Sequence, residues 1–430
     1  MPSAVQGKAV SLAPLLPIAA VILLLPFGRS SEIALLACLI GALVLFARTP
    51  ALPKDNAASK LLLAMWLCYF VAALISAFDA VPSGKSWSTV AALIRFAPFG
   101  CYVCWIVRDE SRLRALHLFT GVLVALWALD AWVQILTGYS LGGPAEALRI
   151  SGIFGAEDLK LGPVLAVLSP FVLWSARTHF GRVAAVVALL FLLGPILLAG
   201  ERSAWLMYAL VALVFLWREA RTPARFVLWA ACACAIAVLA IGVAWKTSSR
   251  FDQRMQRTLE AFGGASQGLD LALSGRMDIW RTALRMYEAH PVNGVGVRDF
   301  RYVYPQFAPP GDHFLSDEAC GVGQGACHPH QIVLEVLDDT GTIGLALWLI
   351  GVAMALRAWR RADAAARARA APASLALFVM VFPLNTHLAF YSAWWGLLFW
   401  WLLALWIAAL HANENRFGTS TGRTELQHGA

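Results

Sequence analysis

Residues 327–358, CHPHQIVLEVLDDTGTIGLALWLIGVAMALRA, decide the fold class. The stretch opens on two histidines at the end of a long polar segment. From Thr340 to Ala358 it is then apolar almost without interruption. A helix crosses the hydrocarbon core of a bilayer in about 17–25 such residues. A soluble helix of that length keeps one polar face for water, and this run has none.

Outward from this stretch the pattern repeats. Twelve apolar runs are predicted to span a membrane, near 12–28, 31–47, 61–78, 87–107, 115–137, 161–176, 183–199, 203–217, 226–245, 340–358, 373–389 and 391–411. The whole chain is 60% hydrophobic and only 14% charged, against about 25% charged in soluble domains. The expected fold is therefore an all-α polytopic membrane protein. Residues 1–245 carry nine spans, 246–339 form a long, partly helical external loop, 340–411 carry three more spans, and 412–430 form a short tail. No early segment ends in a small-residue cleavage site, so the first run is expected to be a retained span.

The net charge of +8 does not point to nucleic acid, because of where the charges fall. With a cytoplasmic N-terminus, the cytoplasmic segments hold Lys8, Arg48, Lys54, Lys60, Arg108, Arg112, Arg114, Arg177, Arg182, Arg218, Arg221, Arg225, Arg357, Arg360, Arg361, Arg367, Arg369, Arg416 and Arg423. The short loops on the other face hold only Arg29, Lys85, Arg149, Lys160 and Arg202. This is the positive-inside bias, and it places both termini in the cytoplasm and the 246–339 loop outside. The Ala/Arg stretch 357–371 reads as a loop held against anionic lipid headgroups.

The chemistry is expected in the external loop. There is no phosphate-binding Gly-rich loop, no dinucleotide fingerprint and no His-Glu-x-x-His, so no cofactor or nucleotide is called for. His330 suits proton transfer near neutral pH, either as a general acid/base or as a substrate-binding group. His328 either shares that role or only shapes the turn. Asp312, His313, Cys320, Cys327, His328 and His330 are residue types that bind zinc, but their spacing matches no strong zinc pattern, and no metal is expected. Cys320 and Cys327, with six residues between them in Gly-rich chain, could close a disulfide in an oxidising compartment. The other six cysteines, Cys101-x-x-Cys104 included, lie in apolar runs and read as small buried hydrophobes.

Arginines form a second constellation. Arg202 lies between two spans, in Gly200-Glu201-Arg202-Ser203, and Arg276 lies in the loop. Arg149 and Lys160 flank Ser151–Gly155, with Glu157 and Asp158 between them. Guanidinium is the natural clamp for phosphate oxygens. The competing reading is internal ion pairing with Glu201, Glu157 or Asp158. Arg95 and Asp130 lie inside spans and either pair with each other or line a cavity. Phe300, Tyr302, Tyr304 and Phe307 suit a membrane interface or stacking on sugar rings. Glu335, Asp338 and Asp339 share one helical face.

The late external loop, His328-Pro329-His330-Gln331 and Gly341-Thr342-Ile343-Gly344 resemble the O-antigen ligase and polymerase superfamily. The series Arg276, Trp280, Pro291, Gly294 and Gly296 is similar to that family's loop, and Gly200-Glu201-Arg202-Ser203 resembles its Ser-Arg element. Gln331 departs from the commoner Asn, and Glu157-Asp158 stands where the family often has Pro-Asn. The resemblance implies transfer of a preassembled glycan from undecaprenyl pyrophosphate to an acceptor on the outer face of a Gram-negative inner membrane. It further implies that Arg202 and Arg276 hold the pyrophosphate, that His330 activates the acceptor hydroxyl, and that neither metal nor nucleotide takes part. Within the family a ligase acting on lipid A–core is expected ahead of a repeat-unit polymerase or a protein O-oligosaccharyltransferase. A secondary transporter or flippase would need charged residues along a pathway, and only Arg95 and Asp130 offer one. The expected partners are the lipid-linked donor, the lipid A–core acceptor and membrane lipid, with no nucleic acid.

Overall fold

A computed structural model describes residues 11–80, 83–146, 149–156, 160–220, 222–247, 252, 256, 276–315, 320–385 and 389–412. Lys8, Glu157, Asp158, Arg221, Ser274, Gly275, Arg416 and Arg423 lie outside them, as do most of 246–275 and of the 412–430 tail.

The chain is an all-α polytopic membrane protein. Among the described residues, 10 helices are long and apolar enough to cross a membrane, with a shorter apolar helix at Ala13–Leu23. The difference from twelve predicted spans has a simple geometric cause. Leu161–Ala199 holds two of the predicted spans, 161–176 and 183–199, as two arms joined at the non-helical Gly181 (φ 89°, ψ −170°). A straight helix of 39 residues would be about 58 Å long, nearly twice a bilayer core. It is not straight. A Cβ on Gly162, near its start, would lie 3.1 Å from the Cβ of Ala199 at its end, so the two arms run side by side and Gly181 is the turn. The predicted 12–28 span is the short Ala13–Leu23 helix, and 373–389 is the Ala364–Val381 helix, which begins and ends earlier.

Polar side chains start the helices where the apolar runs begin. The side chains of Asn56, Asp109, Asp363 and Ser392 accept from the backbone N–H of Ser59, Arg112, Ala366 and Trp395. Each cap satisfies an amide that the first helical turn leaves open. Gly138 and Gly200 end two helices in the left-handed conformation that a Cβ disfavours.

Ala393–His411 is the central pillar. Most of it is buried, and its indoles tie distant chain segments together. Trp394 Nε1 donates to Leu25 O, Trp401 Nε1 to Ile18 O and Trp406 Nε1 to Ser374 Oγ. Pro223–Thr247 is the opposite case, a peripheral helix with an exposed apolar surface.

The external segment has a small core of its own. Ile279, Ala283, Met286, Val295, Phe300, Val303, Tyr304 and Ala326 pack together there, apart from the main apolar core. Phe300 and Tyr304 therefore hold the segment together, while Tyr302 alone of the predicted aromatic cluster is exposed. The helix after the histidines begins at Ile332, eight residues before the predicted span, and bends at Gly341 (φ 65°, ψ −165°). The bend divides a polar arm, 332–340, from the apolar arm that crosses the membrane.

Candidate functional site

Backbone contact explains the glycines around the site. Pro291–Gly296 lies directly against the bend at Gly341. Thr342 N donates to Pro291 O at 2.9 Å, Ile343 N to Val292 O at 3.1 Å, and Val295 N to Asp338 O at 2.8 Å. A Cβ on Gly294 would lie 2.5 Å from Asp338 O, and one on Gly341 would lie 2.3 Å from Val292 O. Both glycines also have positive φ, so any side chain there would be strained and would clash. The predicted Gly turn and Gly-x-x-Gly are thus two halves of one joint.

This joint sets the histidines at the head of the 332–340 arm. Gln331 caps the arm by accepting from Leu334 N at 2.6 Å. His330 sits at φ 56°, a region that residues with a Cβ seldom occupy. Its N–H donates to Nδ1 of His328 at 3.2 Å, and the two rings lie 3.9 Å apart. Trp280 Nε1 donates to Pro329 O at 2.9 Å and pins the turn from the neighbouring helix, Arg276–Ala289. Just upstream, Cys320 and Cys327 are joined in a disulfide, with Cα atoms 5.4 Å apart.

Arg276 begins the helix that carries Trp280, and Arg202 begins another, Arg202–Ala220. The two are 74 positions apart in sequence, and the fold brings them together. Burial first, and the charge of Arg202 second, pull the Arg276 guanidinium down to about 10. Two cations brought together in a half-buried place repel, and an anion between them removes that cost. The first amides of both helices add to the attraction, since unpaired N–H groups and the positive end of the helix dipole favour negative charge. Below Arg202 runs an apolar groove of about 780 Å³, between the second arm of Leu161–Ala199, Arg202–Ala220 and Pro223–Thr247. Trp205 and Leu197 line it near the arginines, and Arg177 and Arg182 lie at its far end.

The other sequence candidates take different places. Arg149 pairs with Glu146 at 2.5 Å, a carboxylate the sequence reading had not considered. The Lys160 ammonium lies 4.6 Å from the centre of the Trp394 ring, a cation–π contact. Arg95 pairs with Glu32 at 3.1 Å, not with Asp130, which accepts from Leu141 N at 2.8 Å. The two therefore do not pair with each other. Asp312 accepts from Tyr304 OH and from Phe314 N, which makes it part of a turn. Among the described residues no group of three or more His, Cys, Asp or Glu side chains is placed to hold a metal ion.

Ser86, Arg298, Asp299 and Arg301 are not singled out by the sequence, whereas Glu335 is. Arg298 (φ 67°) donates its N–H to Asp339 Oδ2 at 2.9 Å, against the buried face of the 332–340 arm. Asp299 accepts from Ser86 Oγ at 2.7 Å, and the same hydroxyl lies 3.0 Å from Val297 O. Burial raises the Asp299 carboxyl to about 6, with Ser86 and Lys85 partly opposing. Glu335 is 1% exposed and faces Arg298, Arg301 and the backbone N–H groups of Phe390 and Tyr391. The signal for Arg298 and Arg301 was present, since both follow the Gly294-x-Gly296 turn directly, but pairing partners far away in sequence gave it no direction.

Residues 184–349 match the family model described as O-antigen ligase. The matched stretch contains Arg202, Arg276, His328, His330 and the Gly294/Gly341 joint. The match supports membership in the O-antigen ligase/polymerase superfamily and points to a glycosyltransferase-type enzyme. Comparison with curated proteins finds no match.

Proposed function

We propose that this chain is an O-antigen ligase. It transfers a preassembled glycan from undecaprenyl pyrophosphate to a hydroxyl of lipid A–core, on the periplasmic face of a Gram-negative inner membrane. The observation that carries the reading is the His328–His330 turn, pinned by Trp280 from the helix that Arg276 begins, with the charge of Arg202 acting on Arg276.

In this reading the two guanidiniums hold the donor pyrophosphate, and the apolar groove below Arg202 takes the first part of the polyprenyl chain. As the bond from the anomeric carbon to the phosphate oxygen breaks, negative charge grows on the pyrophosphate, where the arginines and helix N-termini stabilise it. The acceptor oxygen attacks the opposite face of the anomeric carbon and passes its proton to His330. One displacement inverts the configuration. The pyrophosphate is already a competent leaving group, so neither nucleotide nor metal is required. His328 and Trp280 act as positioning residues, because they hold the backbone of the turn in its strained form.

The lipopolysaccharide of a deletion strain tests the reading. Core alone, with lipid-linked polymer accumulating, supports the ligase. Core bearing one repeat assigns the chain to the polymerases, and an unchanged ladder rejects both. Complementation with His330→Ala should leave the protein in the membrane and lower capping by at least about 100-fold, the range for loss of a general base. Full capping by that variant would remove His330 from the mechanism.

A further inference from the structure

The chain that carries the histidines has little regular structure to hold it. One helix ends at Phe307 and the next begins at Ile332. Among the described residues between them, the only helical piece is the short turn His313–Leu315. Among the described residues, one backbone hydrogen bond fastens 320–330 to the core of the external segment, Gly325 N donating to Arg301 O at 2.9 Å. A Cβ on Gly325 would lie 2.2 Å from the Tyr304 ring, so the backbone rests directly on that ring. Ala326 beside it is buried in the same core. Gln324 N donates to Gly321 O at 3.0 Å, and Gly321 and Gly323 both have positive φ. The Cys320–Cys327 disulfide closes this Gly-rich stretch into a ring.

The ring ends where the histidine turn begins. Positive φ at His330 is costly for a residue with a Cβ, and such a backbone persists only where its surroundings over-determine it. His328 Nδ1 restrains the turn from within, and Trp280 restrains Pro329 from the neighbouring helix. The disulfide is a further restraint. It ties Cys327, the residue immediately before His328, into the ring that sits on Tyr304. Opening it removes the covalent restraint next to the histidines.

The pair is also suited to exchange. Cys320 and Cys327 are half-buried, so a thiol can reach them. The other six cysteines lie in membrane spans, so no third thiol of the chain competes for the pairing. We propose that the Cys320–Cys327 disulfide is a redox-sensitive positioning cross-link, which locks the His328–His330 turn in its working form and is put in place by a protein disulfide on the external side.

The step is thiol–disulfide exchange. One cysteine thiolate attacks the disulfide of the oxidant and forms a mixed disulfide, releasing one thiolate of the oxidant. The second cysteine thiolate then displaces the oxidant's other sulfur. The two electrons and two protons of the Cys320 and Cys327 thiols end on the oxidant, which leaves as a dithiol. The link to glycan transfer rests on the ligase reading, whereas the effect on the turn does not.

The test uses the full-length protein in nanodiscs. It is reduced with a phosphine, opening of the disulfide is verified by alkylation of a sample, and the rest is re-oxidised with oxidised glutathione. Reduction should speed hydrogen exchange at the amides of 328–335 by at least about 10-fold, while exchange in the Arg276–Ala289 helix stays as it was. In the same samples kcat should fall by at least about 10-fold, since a reacting group misplaced by about 1 Å can cost about 100-fold. KM for the lipid-linked donor should stay within about 2-fold, because Arg202 and Arg276 lie outside the ring. Re-oxidation should restore all three, which separates a displaced turn from a lost fold. The paired variant Cys320→Ala with Cys327→Ala should match the reduced protein and ignore reductant.

Unchanged exchange at 328–335 after complete reduction overturns the proposal. So does faster exchange that spreads equally through Arg276–Ala289, because the cross-link would then hold the segment core as a whole. A paired variant that still responds to reductant, or full kcat in the reduced protein, overturns it as well. Absence of transfer by the oxidised protein counts against the ligase reading alone, since the exchange measurement needs no catalysis.

Discussion

The arginines at the two ends of this molecule are used in opposite ways. At the Gly181 end four of them pair with carboxylates. Arg177 and Arg182 share Glu219, Arg112 pairs with Asp109, and Arg114 pairs with Glu110. At the His330 end cations also act on one another, Arg202 on Arg276, and Arg298 on Arg301 and Lys85. Self-neutralised charge anchors helix ends and asks for nothing more. In the proposed reading, like charges near the strained histidine turn serve a ligand that is not protein. Arg149, paired with Glu146, and Arg281, paired with Asp278, break this contrast at the His330 end.

The contrast is broken most severely by removing a gathered cation. Arg276→Ala should lower kcat/KM for glycan transfer by about 100- to 1,000-fold, the range for loss of one preorganised charge stabiliser. Steady-state kinetics with lipid-linked donor would show it, and a change below 3-fold would place Arg276 outside the site.

A second test concerns pH. Asp299 is a buried carboxyl raised to about 6, so its protonated form favours the fold. Its contribution is fully present below the ordinary carboxylate range and is lost as pH rises through about 6. Asp299→Asn mimics the protonated acid. The melting temperature of the wild type should therefore fall between pH 4.5 and 7 relative to that of the variant. A difference that does not vary with pH would mean the carboxyl is not buried against Ser86.

The smallest effect should come from a paired arginine. Arg149→Ala removes a partly exposed ion pair, worth about 0–1 kcal/mol. Transfer by this variant should stay within about 2-fold of wild type. A large loss in the same kinetic assay would return Arg149 to the site, where the sequence had placed it with Lys160.

The fold class was legible because hydropathy is a local property. Each apolar run announces itself without reference to its neighbours. The count was legible too at 161–199, where two spans meet at the single-residue turn Gly181, and less so at 12–28, where the helix is the short Ala13–Leu23. The loop's glycines were legible as turns but not as a joint, since the segments around Gly294 and Gly341, 47 positions apart, meet through backbone. Aromatic residues misled for a similar reason. Phe300 and Tyr304 look suited to an interface, yet the external segment is large enough to bury them in its own core. Partners were the least legible feature. Nothing near Arg95 or Arg149 in the notation of a sequence distinguishes Glu32 from Asp130, or Glu146 from Glu157, because pairing depends on the azimuth and height of helices.

The central claim is that Arg202 and Arg276 act together on one pyrophosphate. Binding of undecaprenyl pyrophosphate to the purified protein in nanodiscs tests it most directly, across wild type, Arg202→Ala, Arg276→Ala and the double variant. The account predicts that each single change weakens binding at least about 10-fold and that the double variant loses far less than the sum, since residues sharing one ligand couple. Strictly additive losses, or binding unchanged in either single variant, would contradict it.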